Sequence, residues 1–413
     1  MGASTWRRHS ILWALYFVQG LPYGFQVTAL PVYLRGEGVS LAEIGWAAAL
    51  SLPWMLKFLW APWVDRHRRG PLGPRRSWIL PLQGLLAATC FVASFVIPQG
   101  SLTAVLVLVL AMNLAAATLD IAVDGLAVDF LRPDELGLGN VAQVVGFKFG
   151  MLTGGGVLLW ASAWIGWSGL FQAMAGLMLL IAAVTLTFRE PAVAGDAALS
   201  SLGKVLGALR GSLAGRGFGW LLLLVVTYKM GESLADTMFR PFLVDHGFTA
   251  RQIGAWVGTW GVVFSIAGSA AGGLLAWAVS IRRAVIWTAV LRALPLAGLW
   301  WLSVSEVDAA GVIAVTCAEN FFGGALTVAL FAYMMSQVDR RIGATHFTLL
   351  AALEVFGKIG ASTVSGMLAE ATSYSTLFGI ATVLSVLFWA LLPTLRRPRA
   401  DESEGLGPQP IEP

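Results

Sequence analysis

Asp120 and Asp124 stand four residues apart inside a long apolar run, with Asn113 seven residues earlier on the same helical face. Two neighbouring carboxylates away from water are suited to trading a proton, so the pair is read as a proton-coupling site. The competing reading is structural, with both acids paired to Lys or Arg on neighbouring helices. Lys148 and Lys358 occupy matching places in the two halves of the chain and suit an anionic substrate gripped by one cation from each half. Glu354 lies four residues before Lys358, so intrahelical pairing competes there. Lys229, Glu232, Asp236 and Arg240 follow at spacings of three, four and four, one continuous helical face that contacts substrate or lines a gate. Arg292 is deep in another run and expects Glu319 or Glu354 as its partner. Tyr16, Gln19, Tyr23 and Gln26 form an uncharged stripe, offering the hydrogen bonds a sugar or a peptide would want. Asp65-Arg66-His67-Arg68-Arg69 is a basic run directly after the second apolar run, and the positive-inside rule alone would account for it.

The elements that hold these residues must be membrane helices. The chain of 413 residues is 57% hydrophobic and 12% charged, with mean hydropathy +0.75. Soluble proteins carry about 25% charge, so a soluble enzyme, a nucleic-acid binder and a disordered scaffold are disfavoured at once. A spanning helix needs about 20 apolar residues. Runs at 10–34, 42–64, 76–97, 102–130, 138–164, 168–189, 218–244, 251–279, 284–304, 309–336, 344–370 and 374–395 predict twelve. The fold class is therefore an all-α polytopic membrane protein. With six basic and six acidic residues at depth (Lys57, Lys148, Lys229, Arg240, Arg292, Lys358; Asp120, Asp124, Glu232, Asp236, Glu319, Glu354), each costing about 2.5–3.5 kcal/mol at mid-bilayer, charges must face a cavity or one another.

Nineteen of the remaining Lys and Arg residues fall on one side of the predicted helices; Arg35 and Arg251 fall on the other. The positive-inside rule then makes both termini and the linker cytoplasmic. The halves repeat. Gly38 to Gly45 echoes Gly247 to Gly254, each with a capping box, Ser40 with Glu43 and Thr249 with Gln252. Val128-Asp129 echoes Val338-Asp339. Two six-helix repeats that begin on the same side are parallel repeats, the major facilitator arrangement, with substrate near the midplane between halves. The expected domains are 1–189, a polar linker at 190–217 with no spanning helix, 218–395, and a disordered cytoplasmic tail at 396–413. Gly146, Gly150 and Gly154, and Gly268 with Gly272, permit close helix packing. Trp160, Trp164 and Trp167 read as an interfacial belt.

Enzyme signatures are missing. His9, His67, His246 and His346 are scattered, Cys90 and Cys317 sit in apolar runs, and no P-loop, Cys-x-x-Cys or His-Glu-x-x-His occurs. No cofactor and no metal are expected. A membrane acyltransferase built on His346, or a sensor, is the distant alternative.

Several stretches resemble the AmpG-type muropeptide permeases and the related acetyl-CoA transporters. They are Gln19-Gly-Leu-Pro-Tyr-Gly24, Tyr33-Leu-Arg-Gly-Glu-Gly-Val-Ser40, Leu52-Pro-Trp-Met-Leu-Lys-Phe-Leu-Trp-Ala-Pro-Trp-Val-Asp-Arg66, Arg75-Arg-Ser-Trp78 and Leu119-Asp-Ile-Ala-Val-Asp124. In the second half, Tyr228-Lys-Met-Gly-Glu232, Glu319-Asn320 with Gly323-Gly324, and Ala344-Thr-His-Phe-Thr-Leu-Leu-Ala351 fit as well. The resemblance implies proton-driven import of a GlcNAc-anhydroMurNAc peptide across the bacterial inner membrane, in peptidoglycan recycling. It adds Asn320 to the expected substrate contacts and points to Asp120 and Asp124 as critical. Asp65 and Arg66, with the basic residues after them, also resemble the loop between helices two and three of major facilitators, which implies a cytoplasmic gate latch in which the acid meets a helix end or an arginine. Acetyl-CoA or another organic anion remains the alternative cargo. The larger muropeptide permeases carry two further helices, which the 28 residues from Glu190 to Gly217 cannot supply. The expected partners are a small-molecule substrate, protons and the lipid bilayer, with no nucleic acid, and the expected state is a monomer.

Overall fold

The computed structural model describes residues 3–30, 33–34, 37, 47–67, 72–97, 101–188, 190, 202–214, 217–248, 250–253, 256–257 and 260–395. Ser40, Glu43, Thr249, Arg35, Arg68, Arg69, Arg189, Arg216, the side chain of Arg251 and the tail at 396–413 lie outside these. Every regular element among the described residues is helical. Nine helical stretches there are long and apolar enough to cross a bilayer. One of them, Pro133–Thr187, has 55 residues. Straight, it would run about 80 Å, against a hydrocarbon core of about 30 Å. Gly166, at φ 69° and ψ 175°, interrupts it, and glycine alone takes that conformation without strain. The break falls between the predicted runs at 138–164 and 168–189.

The helices that carry the site are numbered here in chain order. α1 (Ala3–Gly24) continues as a π turn, Phe25–Ala29. The next span is broken into α2 (Leu52–Leu56), a 3-10 turn Lys57–Leu59 and α3 (Ala61–Arg66), with a proline in the first turn of each short helix. Pro53 and Pro62 lack the N–H that would continue the preceding ladder. α4 is Arg76–Val96, α5 Leu102–Phe130, α6 Leu136–Leu152 and α7 Leu158–Thr187; a π turn, Thr153–Val157, joins the last two. α8 is Leu202–Leu213. α9 (Phe218–Thr227) and α10 (Met230–Asp245) share one span, broken at Tyr228 and Lys229. α11 is Gly261–Ala278, α12 Ile281–Val304, α13 Ala309–Ser336, α14 Gly343–Ala371 and α15 Tyr374–Leu387.

α8 lies within 190–217, which the sequence expectation treated as a polar linker with no spanning helix; at 12 residues it is too short to span a bilayer. Leu202, Leu206, Leu209 and Leu213 recur at intervals of four, three and four, an amphipathic stripe inside a segment whose average polarity conceals it.

The chain folds as two compact units. One comprises Met1–Leu131, Ala142–Arg210 and Asp339–Leu349; the other comprises Arg132–Val141, Gly211–Val338 and Leu350–Pro413. In the first, α1 and α6 touch backbone to backbone. A Cβ on Gly20 would collide with the Phe147 carbonyl, one on Gly150 with the Phe17 carbonyl and one on Gly154 with the Leu21 carbonyl. In the second, Gly268 and Gly272 of α11 lie in the same way against Phe321 and Ala325 of α13. Small residues earn their place in membranes by letting helices approach this closely. Trp160 and Trp164 are 70% and 68% exposed, as a lipid-facing belt requires.

Gly150→Leu should force α1 and α6 apart and cost about 1–3 kcal/mol or more. A lowered thermal midpoint of the detergent-purified protein is the expected readout; an unchanged midpoint would refute the packing.

Candidate functional site

Three charged clusters stand out, two within the first unit and one within the second. In the first unit, the break between α2 and α3 brings the Lys57 ammonium onto α5. Lys57 forms a direct ion pair with Asp120 and lies 3.8 Å from Asp124. Asp124 Oδ1 accepts hydrogen bonds from the Tyr16 hydroxyl, at 2.7 Å, and from Gln143 Nε2, at 3.1 Å. All five side chains are buried. One cation therefore serves two carboxylates in this triad. Beside it, the indole N–H of Trp54 donates to Asn113 Oδ1 at 2.9 Å. Tyr23, Trp54 and Phe147 pack ring against ring with centroids 5.5–5.9 Å apart.

In the second unit, six charges balance. Arg292 pairs with Glu319 and, at 3.3 Å, with Glu232, and its Nη1 donates to the Glu319 carbonyl at 2.9 Å. Lys229 lies 3.9 Å from both Glu232 and Glu354, and Lys358 lies 3.3 Å from Glu354. The Tyr228 hydroxyl donates to Glu354 at 3.1 Å. Lys229 reaches two acids because it sits where α9 ends and α10 begins. Gly323 lies beside this centre: a Cβ there would make ordinary van der Waals contact, at 3.5 Å, with Arg292 Cζ and Glu232 Oε1.

The third cluster lies at one end of the first unit. Asp65 accepts from Arg75 Nη2 at 2.9 Å and from the backbone N–H of Thr345, in the opening turn of α14, at 2.6 Å. Arg75 Nε donates to Asp129 at 3.0 Å. Asp65 and Arg75 are both fully buried. Their carboxylate meets the positive end of the α14 dipole, a favourable placement. Glu190 accepts from the backbone N–H groups of Arg75 and Arg76 at 3.0–3.1 Å and so caps α4. Burial pushes the Glu190 carboxyl above the usual range, and those two N–H groups oppose the shift.

The structure thus brings Tyr16, Asp120 and Asp124 together, and Lys229, Glu232, Glu319, Glu354 and Lys358 together. Gln19 is fully buried, and Gln26 donates to Ser51 at 2.7 Å. Lys148 is half-buried on α6 and has interactions of its own. Asp236 makes its ion pair with Arg240, at 4.0 Å, both more than half exposed. Asn320 donates to the Thr316 carbonyl of its own helix at 3.0 Å. Asp65 meets an arginine and a helix end, but Arg66 is exposed and the arginine is Arg75. Arg292 was expected to pair with Glu319 or Glu354, and Glu319 is its partner; the sequence did not assign Lys57, Gln143, Tyr228 or Arg75 to these clusters. Each reaches its partner across helices, where spacing along the chain is silent; only the need to neutralise buried charge marked Lys57.

Crossing helices, buried ion clusters and one half-chain echoing the other define a membrane transporter, and the chain matches the Major Facilitator Superfamily over residues 12–348. It belongs to that superfamily, and within it to the AmpG-type family of anhydromuropeptide permeases. It is 33% identical over 390 residues to the anhydromuropeptide permease of Escherichia coli K12, covering 93% of this chain and 79% of that protein. It is 24% identical over 349 residues to the putative transporter AmpG 4 of Rickettsia felis, covering 82% and 84%. Among solved structures it is similar to the transporter FucP in the outward conformation, with TM-score 0.71 at 15% identity over 94% of this chain and 98% of that one. A bacterial homologue of the iron transporter ferroportin gives TM-score 0.69 at 14% identity over 94% and 99%. The two structures establish the shared fold.

Arg292→Met leaves Glu232 and Glu319 without their guanidinium and should destabilise the protein by about 3–5 kcal/mol. The double variant Arg292→Met/Glu319→Met should recover most of that loss; thermal unfolding of both variants in detergent decides it. A raised carboxyl value stabilises the fold below the ordinary glutamate value of about 4.3, and that contribution is lost as pH rises through the raised value. The melting temperature of the wild type relative to Glu190→Gln should therefore fall as pH increases through that window.

Proposed function

We propose that the chain is a proton-coupled permease of the bacterial inner membrane, with both termini cytoplasmic, that imports an anhydromuropeptide by alternating access. The observation that carries this reading is the triad of Lys57, Asp120 and Asp124. With both acids ionised it holds a net negative charge among buried groups; one added proton makes it neutral. A site that is costly in one protonation state and balanced in the other can tie proton movement to a change of conformation. The six charges of the second unit suit a cargo with ionised groups of both signs, as a peptide bearing carboxylates and an ammonium has. They neutralise one another until such a cargo takes their place. The Asp65 cluster suits a latch: the bond to Thr345 N–H is a single strong contact to a helix end, which must be released before that end moves. The name of the E. coli relative supports a muropeptide cargo, and its identity over 93% of this chain gives that support weight.

Proteoliposomes with an acidic exterior should take up labelled anhydromuropeptide, and a protonophore should stop it. Asp120→Asn and Asp124→Asn should each reduce that uptake to background while the protein still inserts. Proton-dependent uptake retained in both variants would sink the coupling assignment, and uptake of acetyl-CoA alone would replace the cargo.

A further inference from the structure

The first unit contains buried polar atoms without a partner among the described residues. Both amide atoms of Gln19, Oε1 of Gln26 and Oε1 of Gln143 are buried without a hydrogen-bond partner among the described residues. Gln19 and Gln26 share one face of α1 and its π turn with Tyr23, at four residues before it and three after; Gln143 precedes Phe147 by one turn of α6. Each open amide therefore stands one turn from a ring of the Tyr23–Trp54–Phe147 corner. All three rings are half-buried. The indole is held in place by its bond to Asn113, and the carbonyl that accepts it is itself anchored, since Asn113 Nδ2 donates to the Val109 carbonyl at 2.9 Å. Its orientation is thus set before any ligand arrives.

Rings beside neutral amides are a chemical description of one ligand class. A pyranose has a face of polarised C–H bonds, which packs on the electron-rich face of an aromatic ring. Its rim of hydroxyl and acetamido groups both donates and accepts, which is what an amide side chain answers. An ionised group would be better met by the six charges of the second unit, and a purely apolar ligand would leave the amides open. We propose that Trp54, Tyr23 and Phe147, with the amides of Gln19, Gln26 and Gln143, form a saccharide subsite that takes a pyranose ring of the cargo. This rests on the muropeptide reading above and assigns its sugar portion to residues of the first unit. The Lys57 ammonium lies 5.9 Å from the centroid of a Trp54 ring, so a sugar stacked on the indole adjoins the Lys57–Asp120–Asp124 triad.

The test is calorimetric titration of the full-length, detergent-purified protein with peptide-free GlcNAc-anhydroMurNAc disaccharide. Wild type should bind it. Trp54→Leu should weaken binding by about tenfold or more, and Trp54→Phe, which keeps a ring, should stay within about threefold. Phe147→Leu provides a second lesion in the corner should Trp54→Leu fail to fold, and the same weakening is expected of it. No disaccharide binding to wild type, or equal binding to wild type and a folded Leu variant, overturns the subsite. Disaccharide binding lost in the Leu variants, in a wild type that transports no anhydromuropeptide, would uphold the subsite and overturn the transport reading instead.

Discussion

A charge inside a membrane must be neutralised, and in this protein the most deeply buried cations at membrane depth, Lys57 and Arg292, find their partners on other helices. Lys57, between α2 and α3, answers the acids of α5. Arg292 of α12 holds Glu232 of α10 and Glu319 of α13. Lys229, at the start of α10, reaches Glu354 of α14. Each pairing joins segments far apart in sequence. Apolar helices in lipid gain little from the hydrophobic effect on meeting, so these ionic contacts and the glycine-mediated backbone approaches carry much of the specificity of packing. The groups best suited to function also help define the fold.

The backbone yields where the charges are. Lys57 lies in a 3-10 turn, Lys229 caps a helix at a break within its span, and Gln26 belongs to a π turn. Irregular backbone at membrane depth is tolerated where it is buried in protein or lines a cavity. Its appearance beside each polar cluster has a common cause: a regular helix fixes side-chain direction by its periodicity, and a local departure re-aims a lysine or an amide that the periodicity would misdirect.

Much of this architecture was legible in the sequence. Hydropathy set the membrane class, and the motif around Leu52 to Arg66 carried the family. The turn at Gly166 was bracketed from hydropathy alone. The site was legible in part. Helical spacing placed Asp120 with Asp124 and paired Glu354 with Lys358, because both relations are intrahelical. It did not join Tyr16 to Asp124, or Arg75 to Asp65, since those depend on which helices pack and in what register. Asp236 was grouped with Lys229 and Glu232 by spacing, yet its side chain is more than half exposed. Position on a face does not fix depth. α8 escaped for the opposite reason: a polar segment average hid a four-residue leucine stripe.

That helix makes the connection between Thr187 and Phe218 something other than a slack cord. Twelve residues wound as Leu202–Leu213 cover about 18 Å, where the same residues extended would reach about 40 Å. The tether is shortened by roughly half that reach while the helix stays wound. Drawing its ends apart beyond the length left in the flanking residues requires the helix to melt from one end, turn by turn. Unwinding it would also bring Val205, which is fully buried, into water, whereas Leu206 and Leu213 already face outward.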